Sequence, residues 1–372
     1  MGISLRIFVA LAVAIGGMLT TTVRGQQVSL AQPAGADSTG AIFASNARLE
    51  AELEDLRSRL DALDQTRAST LDSQVVGNSA CPGWLVSVDY LNWDVRQRGT
   101  DFAITTVGSE DVGPGPGPGA VHNLGLDRNS GVRTRLGYRT SAAWELVLGY
   151  TYYETSGADS AVEPAGGTLW ATRSHPAWYE EATTADASGE FTYNVFDLEA
   201  RYPVIRTCPV TVQIFGGLRW ADIDQAFRVA YDGRFFRDGQ FSDVSGLTAF
   251  GLRLGGEGQW HLNPSWSLFG SAAGSILHGR FHSALLQTDV GGAETIVDVR
   301  DDYEQAVPAI DAAAGVAWTR GPWEIRAGYE LTDWFNLADR SMFTDSQLVA
   351  VYGPQSQDVL LDGFFIRFAY TR

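Results

Sequence analysis

Between Gly131 and Tyr153 the chain reads GVRTRLGYRTSAAWELVLGYTYY, two alternating runs on either side of a tight turn. On the first run Val132, Thr134, Leu136 and Tyr138 share one face, and Arg133, Arg135, Gly137 and Arg139 share the other. On the second, Trp144, Leu146, Leu148, Tyr150 and Tyr152 alternate with Glu145, Val147, Gly149, Thr151 and Tyr153. Strand side chains change face at every residue, so this pattern predicts two strands, each with an apolar and a charged face. In a soluble sandwich the apolar face meets a second sheet. In an outer-membrane barrel it meets lipid, and the charged face lines a wet interior.

The same period of two recurs along the rest of the chain. It predicts strands over 83–96, 193–202, 210–220, 247–260, 266–279, 306–319, 323–334 and 360–372, about ten in all. Twelve is the alternative, because some loop stretches, such as Phe227–Phe236, are extended enough to continue strands beyond the membrane. The connections alternate between short turns and long segments. One long segment contains Gly113–Gly119, GPGPGPG, which is predicted to be loop: proline lacks a backbone donor and glycine resists any fixed conformation.

Three regularities favour a transmembrane antiparallel β-barrel, an all-β fold. An even strand number with alternating short and long connections is the pattern of bacterial barrels. Aromatic residues flank the short turns on the apolar faces: Trp84, Tyr138, Trp144, Tyr202, Trp260, Trp266, Trp318, Trp323 and Tyr370. These predict a girdle at one membrane interface, with Tyr90, Tyr150, Trp220 and Tyr329 at the other. The opposite faces carry Arg133, Arg135, Glu145, Asp197, Glu199, Arg201, Arg219, Arg253, Glu257, Asp311, Arg326, Glu330 and Arg367. A sandwich core could not bury such a set, since each unpaired charge costs several kcal/mol. The barrel reading requires Leu146, Leu252 and Phe368 to point outward, with Arg135 and Arg253 inside.

Upstream the pattern differs. Residues 1–25 read as a secretory signal peptide, with Arg6 before the apolar run Ile7–Leu19. Residues 26–80 form a linker in which Leu49, Leu53, Leu56, Leu60 and Leu63 step by four and three, a heptad seam on a helix over about 42–67. This predicts a periplasmic coiled coil that makes the protein a homo-oligomer; the alternative is a lone amphipathic helix lying on its own barrel. The barrel itself is assigned to 81–372.

Composition narrows the picture further. The formal net charge is −17 and every basic residue is arginine, a balance that argues against nucleic acid as a partner. The two cysteines, Cys81 and Cys208, both fall on the periplasmic side of this topology, where a disulfide between them and two free thiols are both open. No zinc spacing, phosphate loop or nucleophile elbow is found, so no catalytic residue, metal or cofactor is predicted. His278 and His282 share a face, and Ser283 beside His282 points away from it, which is poor geometry for a dyad.

The segments GWLVSVDYLNWDVR, GVRTRLGYRTSAAWELVLGYTYY, YNVFDLEARY, VQIFGGLRWADIDQ and LLDGFFIRFAYTR together resemble the Legionella-type major outer membrane protein family of pore-forming barrels. The resemblance covers roughly 83–372. It departs at the C-terminus, which ends Tyr370-Thr371-Arg372 where many such barrels end on an aromatic residue. It implies a protein of the outer membrane of a Gram-negative-type bacterium, in contact with lipid, with its N-terminal segment in the periplasm. The function expected is passive passage of ions or small solutes, with Arg133, Arg135, Glu145, Asp197, Glu199, Arg201, Arg219, Arg253, Glu257, Arg326, Glu330 and Arg367 as pore-lining residues. The alternative is a non-conducting structural barrel whose charges pair and close the lumen; a barrel hydrolase comes third.

Overall fold

The structure, a computed structural model, describes residues 54–55, 58–59, 82–107, 119–178, 181–207, 209–338, 341–343, 352–354 and 356–372. The chain divides into two units, Met1–Val76 and Gly77–Arg372. In the first, Glu54, Asp55, Ser58 and Arg59 are helical, and Arg59 pairs with Asp55 one turn earlier at 3.0 Å. The predicted signal peptide, the five leucines of the predicted heptad seam, Cys81, Cys208 and residues 113–118 of the Gly-Pro run lie outside the described residues.

The second unit contains a barrel of ten long strands: β1 (Gly83–Gln97), β2 (Asn129–Arg139), β3 (Glu145–Val162), β4 (Thr184–Arg206), β5 (Val210–Gly233), β6 (Phe236–His261), β7 (Trp266–Asp289), β8 (Glu294–Arg320), β9 (Trp323–Ala338) and β10 (Gln357–Thr371). Each pairs antiparallel with its sequence neighbour, and β10 pairs with β1 to close the cylinder. Closure at ten strands excludes the twelve-strand alternative. It also leaves no barrel strand with an unpaired edge.

The short turns have local causes. Between β2 and β3, Ala143 takes φ 64°, and the turn is closed by the Thr140 amide bonding to the Trp144 carbonyl at 2.8 Å. Between β6 and β7, the Asn263 side chain accepts from the amides of Ser265 and Trp266, both at 2.9 Å. Gly321, at φ 62°, turns β8 into β9.

The long connections differ from the expectation. Residues 221–245 and 280–304, which lie outside the predicted strand ranges, are almost entirely strand. β5 and β6 run on to a tight turn at Arg234 and Phe235, with Gly233 at φ 79° and Arg234 at φ 54°. Alternation persists there because Ile223, Phe227, Val229 and Tyr231 all face inward and are buried. Elsewhere the connections build a sheet of their own, in the order Gly119–Asn123, Asp101–Val107, Gly167–Ala171, Glu181–Ala182.

The facing of the strands is as the barrel reading requires. Leu146, Leu252 and Phe368 point outward, with 55 %, 63 % and 56 % of their surface exposed. Asp89 is fully buried inside and Arg219 is 3 % exposed. An outward apolar wall is costly in water and favourable in lipid, since exposed apolar surface costs about 25 cal/mol per Å².

Candidate functional site

The lumen is stacked in layers along the barrel axis. Nearest the short turns is a cavity of about 680 Å³, open at that end. Above it lies an ionic lattice. Asp89 of β1 accepts from three guanidiniums: Arg367 Nε at 2.8 Å and Nη2 at 2.9 Å, Arg135 Nη1 at 3.1 Å, and Arg133 Nη1 at 3.3 Å. Arg133 also donates to both oxygens of Glu330, at 3.0 and 3.1 Å. Arg219 grips Asp197 through two bonds of 2.7 and 3.0 Å and reaches Asp311 at 3.0 Å. Asp311 also receives Arg253 Nη1 and the Thr332 hydroxyl.

The lattice continues downward. Arg253 and Arg201 both donate to Glu199, at 3.0 Å and at 2.6 and 3.0 Å respectively. Arg326 joins Glu257 at 2.6 Å and Glu324 at 2.5 Å, and Arg139 joins Glu145 at 2.6 Å. These are eight arginines facing eight carboxylates, so the lattice is electrically balanced and the surplus negative charge of the chain lies elsewhere. The cavity among them is about 90 Å³.

An aromatic layer covers the lattice on the side of the long hairpins. Trp93, Tyr153, Tyr193, Phe191 and Trp334 are all buried, with Leu91, Ile223, Leu247, Phe281 and Leu361 filling the spaces between them. The two layers are joined. Trp93 Nε1 donates to Glu330 at 3.1 Å, Arg133 stacks over Trp93 at 5.4 Å, and Arg219 lies over Trp334 at 5.9 Å. A guanidinium over an indole face contributes about 0.5–2 kcal/mol when desolvated.

Beyond it, a second apolar core forms where the connecting sheet meets the inward faces of the long hairpins. Phe102, Leu169 and Ala182 of the sheet pack with Phe227, Tyr231, Phe236 and Phe241. Arg173 fastens this region. It donates to the carbonyls of Asp101 and Gly99 at 2.6 and 2.7 Å and to the Asp101 carboxylate at 2.8 Å, and it stacks on Phe227 at 5.3 Å. Burial pushes its guanidinium below the usual arginine range. The Tyr231 hydroxyl, which donates to the Phe102 carbonyl at 2.6 Å, is pushed up by the same cause.

All twelve residues expected to line the lumen are brought into it, and into one another's reach. Two members of the lattice escaped the sequence reading, Asp89 and Glu324. Asp89 sits among Leu85, Ser87 and Leu91 on a face that otherwise looks apolar; its odd-numbered parity was the available signal.

The girdle residues lie outside at the short-turn end. Trp84 meets Tyr138 edge-on at 5.2 Å, Trp144 meets Tyr202 at 4.9 Å, Trp323 meets Tyr370 at 4.8 Å, and Trp266 is directly paired with Trp318. Trp260 is exposed on the same wall. At the other level Tyr150, Phe196 and Trp220 form a continuous row, and Tyr329 packs on Phe364. His282 is exposed and bonded to Asp302 at 2.6 Å, whereas Ser283 is buried on the inner face, so the two do not meet. His278 pairs with Glu304 at 3.3 Å.

Comparison with solved structures finds distant barrels. A major outer membrane protein from Thermus thermophilus matches at 12 % identity, covering 79 % of this chain and 100 % of the other, with a TM-score of 0.32. The outer membrane protease OmpT from Escherichia coli matches at 9 % identity, covering 78 % and 97 %, with a TM-score of 0.36. Ail, the attachment invasion locus protein of Yersinia pestis, matches at 11 % identity, covering 77 % and 98 %, with a TM-score of 0.22. Likenesses this remote transfer no activity. No match is found among curated proteins. Residues 78–372 match the family described as the Legionella pneumophila major outer membrane protein precursor. With that match spanning the whole barrel, the chain belongs to the Legionella major outer membrane protein family, and it is an outer-membrane β-barrel protein.

Proposed function

We propose that this protein is a closed outer-membrane barrel, a structural or surface protein that carries no steady current, with its short turns in the periplasm and its long hairpins outside. The supporting observation is two obstacles in series. An ion crossing the barrel must displace paired guanidiniums from a lattice with about 90 Å³ of free space, then pass a layer of fully buried aromatic rings. An ion entering this paired, largely buried lattice would meet a desolvation cost of several kcal/mol. No catalytic role belongs to this reading.

The pore is the second reading, with ions or small solutes passing the same arginines and carboxylates. The cavity of about 680 Å³ favours it, because the lumen is already open at the short-turn end. Conductance in planar bilayers separates the two. The closed barrel gives a flat baseline, and a steady open channel would establish the pore instead.

In the same reading the heptad segment is a periplasmic stalk that joins copies of the chain. Chemical crosslinking of the full-length protein and of a variant with Leu53 and Leu60 changed to Ser tests this: oligomers should form in the first and be lost in the second.

A further inference from the structure

The ionic lattice is neutral overall, but the wall of the open cavity is not. Six arginines line that cavity, Arg135, Arg139, Arg201, Arg206, Arg326 and Arg367, against three glutamates. The carboxylates that compensate the deeper arginines, Asp89 and Glu199, are set behind this wall and do not line it. Two of the six are incompletely satisfied. Arg135 makes one contact, through Nη1 to Asp89, and shares that carboxylate with Arg133 and Arg367; its other donors have no partner among the described residues. Arg206 is exposed at the rim and forms no ion pair among the described residues.

We infer that this cavity is a binding site for a small multivalent oxyanion of the phosphate type, entering from the short-turn end. A guanidinium presents a planar fork of donors that matches two oxygens of a phosphate, and charge-assisted bonds of this kind are about twice as strong as neutral ones. The cup is recessed, which weakens solvent screening and strengthens the attraction relative to an exposed patch. Hydroxyl and amide donors from Thr211, Gln213 and Gln259 lie in the same wall and can complete the anion's shell. The site does not depend on whether the lumen conducts, because binding is read at equilibrium on the solubilised barrel.

The test uses the full-length protein in a neutral detergent, with inorganic phosphate as probe and chloride as background anion. Titration calorimetry should give saturable binding that weakens as salt is raised from about 0.1 M to about 1 M, where the screening length falls from roughly 10 Å to roughly 3 Å. Arg206→Gln should weaken binding about tenfold, which corresponds to about 1.4 kcal/mol. Arg135→Gln should remove saturable binding. Arg206→Gln touches no buried contact, so it reports even if Arg135→Gln fails to fold, and migration of unboiled samples on gels identifies the folded variants. Absence of saturable binding in the wild type would overturn the inference, as would equal affinity in wild type and Arg206→Gln. Binding of a lysophosphatidate with none of inorganic phosphate would also overturn it, by assigning the site to a lipid headgroup.

Discussion

The lower and upper halves of this barrel are built from the same strands and have opposite chemistry. On β4 the odd-numbered residues face inward from Ala185 to Arg201. Low on the strand they are Asp197, Glu199 and Arg201; higher up they are Ala185, Ala187, Phe191, Tyr193 and Val195. The even-numbered residues face outward and invert in the other sense, from Phe196, Leu198 and Tyr202 to Asp186, Ser188 and Glu190. The backbone ladder passes through the change without interruption. Geometry therefore stays constant while solvent changes: the wall is greasy where it meets lipid and polar where it meets water. The interior compensates, ionic in one half and apolar in the other. A period of two specifies facing only. Which face is buried depends on the medium around the sheet.

The hub of the ionic half gives the largest test. Asp89→Ala leaves Arg135 and Arg367 buried without their carboxylate and should destabilise the barrel by about 3–5 kcal/mol, read as a lower urea midpoint for the folded band on gels. A loss below about 1 kcal/mol would mean the lattice is solvated and the inner contrast between the halves is false.

The outer contrast is tested on one strand. Leu252 and Val244 both face outward on β6, the first in the apolar wall and the second in the upper half. Leu252→Arg should cost about 2–4 kcal/mol, as arginine does on a barrel's lipid face near the midplane. Val244→Arg should stay within about 0.5 kcal/mol, as surface substitutions usually do. Equal costs in lipid-refolding measurements would erase the boundary between the halves.

A smaller effect is expected at the clasp of the upper core. Arg173→Met keeps the apolar stem but leaves the carbonyls of Gly99 and Asp101 unpaired, at a cost of about 1.5–3 kcal/mol. That cost is local, so it should appear as faster proteolysis of the connecting segments with the barrel still folded. The smallest effect belongs to the outer polar face. His282→Ala breaks an exposed pair with Asp302 and should change stability by no more than about 1 kcal/mol, with no effect on heat-modified mobility.

The lower half was almost wholly legible from the chain. Alternation located all ten spans, and the parity of Arg135, Arg253, Leu146 and Leu252 gave their facing. The pairing inside was not legible, for a geometric reason. Parity says which side of the wall a residue occupies but not its position around the circumference. Arg133 meets Glu330 across 197 residues and Arg219 meets Asp311 across 92, and no local pattern encodes either meeting. In the upper half only stretches such as Phe227–Phe236 read as extended; the segments around them, rich in Gly, Ser and Asp, do not read as strand. Those residues are the solvated face of ordinary strands, and the inward Phe227, Val229 and Tyr231 were the evidence for strand.

The two bonds from Arg367 to Asp89 connect the last strand to the first, 278 positions apart in the chain. During biosynthesis this carboxylate is made long before its doubly bonded partner. A nascent polypeptide that stops short of β10 would present two open margins, and one buried acid would lack the cation that secures it. The cylinder can therefore be sealed only once β10 has been made, which makes the seam between β1 and β10 an inherent checkpoint on assembly of the barrel.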